Sequence, residues 1–152
     1  VATDGVQQAG TGDGAGDGAT DRRRSLESVR VLKVLLADDH EVFRRGLAAS
    51  LAEHPEFEVI GQAADGVQAV ALAGQLRPDL IVMDVSMPRM DGIEATRRIV
   101  SANPDSRIVG LSTYNDREIG SAMREAGARG FIPKGAPLRL MLREMVAVAR
   151  ST

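Results

Sequence analysis

Residues 35–41 read LLADDHE, an apolar run that ends in two adjacent aspartates, Asp38 and Asp39. Like charges side by side repel, and a surface turn accepts Asn or Ser at less cost, so the pair implies a cation nearby. Other polar residues stand at comparable places, each where an apolar run stops: Asp84 in VMDVSMP, Ser112 in GLST and Lys134 in FIPK. Carboxylate oxygens are hard ligands suited to Mg²⁺, which takes one or two of them, keeps several waters and leaves places for a phosphoryl oxygen. An aspartate can also be a nucleophile that forms an acyl phosphate, if a metal and a cation neutralise the transferring group. Lys134 and Ser112 would then supply an ammonium and a hydroxyl donor. Taken singly, each residue has an ordinary role: the aspartates cap turns or helices, Lys134 is a surface lysine, and Ser112 satisfies a backbone group. Only elements that bring them together make chemistry of them.

Those elements are legible from Val31 onward. Short β-branched and apolar runs (VLKVLL, FEVIGQA, DLIVMDV, RIVGLS, GFI) read as strands, several apolar on both faces, which indicates a covered parallel sheet. Between them lie stretches at helical spacing: Phe43, Leu47 and Leu51; Val67, Val70, Ala71 and Gly74; Ile119, Met123 and Ala126; and finally Leu138, Leu142, Met145 and Ala149. Asp91 in DGIE looks like a helix cap with an acidic residue three on, the NP at Asn103 stops that helix, and Gly127 ends the next. Five β-α units in so short a chain imply a doubly wound α/β sandwich with right-handed crossovers. In such sheets the functional site lies beyond the carboxyl ends of the strands, where Asp38, Asp39, Asp84, Ser112 and Lys134 are expected to converge.

Composition sets outer bounds. At 152 residues the chain holds one domain with a proper core. A net charge of -2 provides no electrostatic reason to expect direct nucleic-acid contact. The lack of cysteine excludes disulfides, thiolate zinc sites and cysteine nucleophiles. No apolar run nears the roughly 20 residues of a membrane span, and the N-terminus lacks the order of a secretory signal, so a cytoplasmic location is the default. Residues 1–29, rich in Gly, Asp, Ala and Thr without apolar periodicity, read as a disordered tail or linker, with 30–152 as the folded domain. His40, with no second histidine near it, is assigned to structure or solvent.

LLADDHE, DLIVMDVSMPRMDGIEA, IVGLST and GARGFIPK together resemble the receiver domain of bacterial two-component response regulators, closest to receivers that precede LuxR-type output domains. The resemblance spans residues from about 31 to 149. It implies a flavodoxin-like (βα)5 fold with a five-stranded parallel sheet in the order 2-1-3-4-5. It also implies that Asp84 is the phosphoacceptor, that Asp38, Asp39, Asp84 and the main-chain carbonyl of Ser86 hold Mg²⁺, that Lys134 is the family's lysine, and that Ser112 and Phe131 are the switch hydroxyl and aromatic. The implied partners are a sensor histidine kinase, an output domain or downstream protein, and in some relatives a second copy in a homodimer. Such a domain is a signalling phosphoacceptor rather than a metabolic enzyme, and hydrolysis of its acyl phosphate resets it.

Two departures from the family pattern and three competing readings stand beside the resemblance. Lys134 is followed by Gly135, where many receivers carry Pro in a cis peptide; LuxR-type relatives often lack that proline, and a non-proline cis bond would cost about 3 kcal/mol. Tyr114, two residues past Ser112, occupies a place that lines the route of the attacking water, so its bulk is expected to slow dephosphorylation. Competing readings are a receiver-like docking module that takes no phosphate, a haloacid-dehalogenase-type phosphatase and a flavodoxin-like nucleotide binder. The phosphatase would need an Asp-x-Asp motif after the first strand and a cap, and the nucleotide binder a Gly-rich or hydroxyl-rich loop where this chain has two carboxylates. With the structured part ending near residue 149, no DNA-binding domain is expected in this stretch, which reads as a free-standing receiver or as a piece of a longer regulator.

Overall fold

The computed structural model describes residues 30–113 and 117–152; the expected tail over residues 1–29 and the expectation placed on Tyr114 lie outside them. Within the unit Leu32–Thr152, strands and helices alternate in the order β1 (Leu32–Ala37), α1 (Glu41–Ala52), β2 (Phe57–Ala63), α2 (Gly66–Leu76), β3 (Leu80–Asp84), α3 (Gly92–Ala102), β4 (Ile108–Ser112), α4 (Arg117–Ala126), β5 (Gly130–Pro133) and α5 (Leu138–Ala149). The strands pair in parallel in the order β2-β1-β3-β4-β5. β3 and β4 are buried along every residue, which is why their sequences run apolar without alternation.

Strand periodicity sorts the core into two layers, because successive side chains point to opposite faces. Leu32, Val34 and Leu36 of β1, Leu80 and Val82 of β3, Val109 and Leu111 of β4 and Ile132 of β5 meet Leu47 and Leu51 of α1 and Met141, Met145 and Val148 of α5. The alternate positions, Leu35, Ala37, Ile81, Met83 and Ile108, meet Ala69 of α2, Ala95 and Ile99 of α3 and Met123 of α4. β2 serves both layers. Its register shifts between Val34 and Leu35 of β1, so Phe57 and Val59 face α1 and α5 whereas Ala63 faces α2. An extra residue in one strand reverses which side chains point inward.

Helix punctuation follows the sequence reading at most ends. Asp91 caps α3 by accepting a hydrogen bond from the Glu94 backbone N–H at 2.9 Å, Asn103 closes that helix, and Gly127 ends α4 at φ +120. Two helical stripes differ from expectation. In α2 the packed residues are Gly66, Ala69, Val70 and Ala73, while Val67, Ala71 and Gly74 are exposed. The helix is small and apolar nearly all round, so periodicity alone does not select a face. In α5, Leu138 is exposed and the core stripe runs through Met141, Met145 and Val148. The described residues contain no cis peptide bond, so the Lys134–Gly135 bond is trans.

Leu51 is fully buried between α1 and the sheet, whereas Val42 on the same helix is 86% exposed. Leu51→Ala is expected to cost about 3 kcal/mol of unfolding free energy, and Val42→Ala no more than about 0.5 kcal/mol. Urea denaturation of the two variants against the parent measures both.

Candidate functional site

The carboxyl edge of the sheet gathers the polar residues because each strand stops in register with its neighbour. Ala37 pairs with Met83 and Asp84 with Leu111, so Asp38, one residue beyond β1, comes beside Asp84. Ser112 pairs with Pro133, and the Lys134 N–H continues that ladder by donating to the Ser112 carbonyl at 2.8 Å. Asp38, Asp84 and Lys134 share the strand parity of Leu36, Val82 and Ile132, which belong to the layer of α1 and α5. Ser112 and Phe131 have the opposite parity, and Phe131 packs with the layer of α2, α3 and α4.

Asp38, Asp39 and Asp84 each offer a carboxylate oxygen within 4.8 Å of the others. Asp38 and Asp84 are buried, at 2% and 4% exposure, and Asp39 is exposed. Lys134 Nζ lies 2.8 Å from Asp38 Oδ2 and 3.4 Å from Asp84 Oδ2. The ammonium also sits 4.9 Å from the centre of the Phe43 ring, whose π face favours a cation there. Asp38 Oδ1 accepts the His40 N–H at 2.9 Å, which shapes the turn into α1, and Arg44 Nη1 donates to the Asp38 carbonyl. Asp38 therefore has both the turn role and the charge role. Its Oδ2 touches the ammonium as an ion pair without hydrogen-bond alignment and has no hydrogen-bond partner.

Burial above all, and then repulsion from Asp38, push the Asp84 carboxyl up to about 7, against the lowering pull of Lys134. Two buried carboxylates facing one ammonium leave a site short of positive charge. A hard cation fits the deficit: the donor set is all oxygen, one buried oxygen lacks a hydrogen bond, and the exposed Asp39 leaves a side open to solvent. Asp38, Asp39 and Asp84 are the side chains able to hold it. Asp39 and Asp84 border a cavity of about 530 Å³ whose walls also include Ser86, Ser112, Ile119 and Lys134.

The expected site residues thus meet at one place except Phe131, whose surroundings are Gly110 of β4 and Gly120 of α4. A Cβ at Gly110 would come within 2.9 Å of the Phe131 ring, and one at Gly120 within 3.6 Å. Residues that support the site without having been expected there are Phe43, which was legible only as part of a helical stripe, Arg44 and Gly92. A Cβ on Gly92 would lie 2.0 Å from the Asp84 carbonyl oxygen, so this glycine lets the start of α3 approach the end of β3. The DG pair in MPRMDG was legible as a helix cap, but nothing in it signalled the close approach.

A family model described as the response regulator receiver domain matches residues 34–146. The transcriptional regulatory protein LiaR of Bacillus subtilis (strain 168) is 46% identical over 104 residues, which are 68% of this chain and 49% of that protein. The chain spans about half the length of the curated transcriptional regulators it matches. Among solved structures, the signal receiver domain of the putative response regulator NarL from Mycobacterium tuberculosis superposes with a TM-score of 0.77 at 27% identity, covering 81% of this chain and 99% of that one. The response regulator domain of Thermotoga maritima CheB gives 0.73 at 30% identity, covering 81% and 99%.

The raised Asp84 carboxyl has a consequence for stability with a definite sign. Its folded value, about 7, lies above the ordinary 3.8, so between those values the folded state keeps a proton that the unfolded state releases. The stability this group contributes is full below about pH 4 and is lost as pH rises toward 7. In chelator-treated protein, Asp84→Asn is expected to gain on the parent in urea denaturation as pH is raised from 4 to 7.5. A constant difference across that range would contradict the burial argument.

Proposed function

The chain belongs to the response regulator receiver domain family of two-component systems, and from that we propose that it takes a phosphoryl group on the Asp84 carboxylate from the phosphohistidine of a sensor histidine kinase and relays the change to an output domain or partner protein. The observation that carries this reading is a single buried arrangement: Asp84 at the end of β3, beside Asp38 and 3.4 Å from the ammonium of Lys134, facing a cavity open to a donor.

The chemistry balances within the site. An oxygen of Asp84 attacks phosphorus in line, the P–N bond to the donor imidazole breaks, and its electron pair returns to the ring nitrogen. Attack needs the carboxylate form, so the factors that hold Asp84 up to about 7 must be relieved. Asp38, Asp39, Asp84 and the Ser86 carbonyl would hold Mg²⁺, which would supply the positive charge that relieves the carboxylates and favours the charged phosphoryl group. Lys134 exchanges part of its contact with Asp84 for those oxygens, and the Ser112 hydroxyl donates to one of them. Drawing Ser112 toward the phosphoryl group frees space on the opposite layer for Phe131, and the surface of α4, β5 and α5 changes with it. Water then cleaves the acyl phosphate and restores the resting state, so the domain works as a signalling phosphoacceptor and not as a metabolic enzyme.

Intact-protein mass after incubation with acetyl phosphate tests the reading. The parent is expected to gain the mass of one phosphoryl group only when Mg²⁺ is present, Asp84→Ala to gain none, and Lys134→Ala to gain it on the order of a hundredfold more slowly. No gain in the parent at any time point would leave a receiver-shaped docking module and remove the phosphoacceptor.

A further inference from the structure

Residues 85–91, between β3 and α3, bring Ser86 to the cavity wall and then turn sharply. The turn centres on Arg89, whose φ is +66, and is closed by the Met90 N–H donating to the Pro88 carbonyl at 2.7 Å. A three-residue turn with a side-chain-bearing residue at positive φ is strained and persists only where the surroundings impose it.

The surroundings that impose it come from the start of α2. Arg89 Nε lies 2.8 Å from Asp65 Oδ2. The arginine side chain is 64% exposed but the aspartate only 3%, so the acid is a fixed anchor and the arginine reaches down to it. Asp65 Oδ1 meanwhile accepts the Gln68 N–H at 2.8 Å and caps α2. One residue on, the Gly66 N–H donates to the Met90 carbonyl at 3.0 Å. A Cβ on Gly66 would come to 2.2 Å from that oxygen, so the approach requires glycine. A side-chain ion pair at the centre of the strained turn, Arg89, and a main-chain hydrogen bond at its end, Met90, thus clamp it to the start of one helix.

We propose that Asp65 and Arg89 form a latch that positions the β3–α3 loop for cation binding, so that the Mg²⁺ affinity of the acidic site depends on the first turn of α2. The inference rests on the metal-binding reading of the preceding subsection. Neither residue touches the reacting groups; both act through the loop that carries Ser86, and loss of such outer support commonly costs at least tenfold in metal affinity.

Calorimetric titration with MgCl₂ and amide hydrogen exchange of the metal-free protein test this on the parent, Arg89→Ala and Arg89→Lys, with urea denaturation as the control for folding. Arg89→Ala is expected to bind Mg²⁺ about tenfold more weakly and to exchange the Met90 and Gly92 amides faster. Its urea midpoint is expected to fall, since the buried Asp65 carboxylate loses its partner, while the unfolding transition stays cooperative and the protein folded without urea, and Arg89→Lys should recover most of the affinity. Parent-like Mg²⁺ binding and exchange in Arg89→Ala would overturn the latch while leaving the metal site intact. A parent that binds no Mg²⁺ would overturn the metal reading and the affinity claim together, and loop exchange would still decide whether Arg89 holds the turn.

Discussion

Two carboxylates held out of water against one ammonium set the terms for the rest of this molecule. Asp38 and Asp84 are almost wholly buried, both lie within 4 Å of Lys134 Nζ, and the exposed Asp39 adds a third acid to the cluster. In water such a group of charges would separate or hydrate at little cost; at a sheet edge packed on both faces it cannot. The site answers by keeping the Asp84 carboxyl near 7, poised between its protonated and charged forms. Any added positive charge tips it toward the carboxylate. An acidic site of this kind is therefore responsive by construction, since its resting charge balance is incomplete.

Keeping the charges together takes structure that does no chemistry. Phe43 of α1 offers its ring to the ammonium, Arg44 ties the Asp38 carbonyl to that same helix, and the His40 N–H holds one Asp38 oxygen in the turn. On the far side, Gly92 admits the start of α3 to the end of β3, and Gly66 admits the start of α2 to the loop between them. Helix N-termini thus approach the acidic edge from several directions, a polarity that favours negative charge. The exposed Arg89, bound to the buried Asp65, extends this support to residues well outside the cavity.

The two-layer parity of the sheet separates the two acids and the lysine from the hydroxyl and the aromatic ring. Asp38, Asp84 and Lys134 follow the positions that face α1 and α5, whereas Ser112 and Phe131 follow those that face α4. The Lys134 N–H to Ser112 carbonyl bond joins the two series at the sheet edge. On the proposed reading a change at Asp84 would reach the α4 layer through the Ser112 hydroxyl; Phe131 lies between Gly110 and Gly120, where backbone replaces side chains that would otherwise crowd the ring. Close packing makes such a path discrete and not graded.

The alternation of strands and helices, the caps at Asp91 and Gly127, and the polar residues at the strand ends were all legible along the chain, because they depend on local periodicity and side-chain chemistry. The sequence also carried motifs specific enough to indicate the family, which the matching model over residues 34–146 bears out. It did not determine which face of α2 packs, because a helix that is apolar all round has no preferred side until a neighbour covers one. Nor did it reveal that Leu138 stays outside the core, that β2 changes layers at its bulge, or that Asp65 and Arg89, 24 residues apart, hold one turn. Those features depend on burial, charge compensation and close backbone approach, which arise only when distant segments meet.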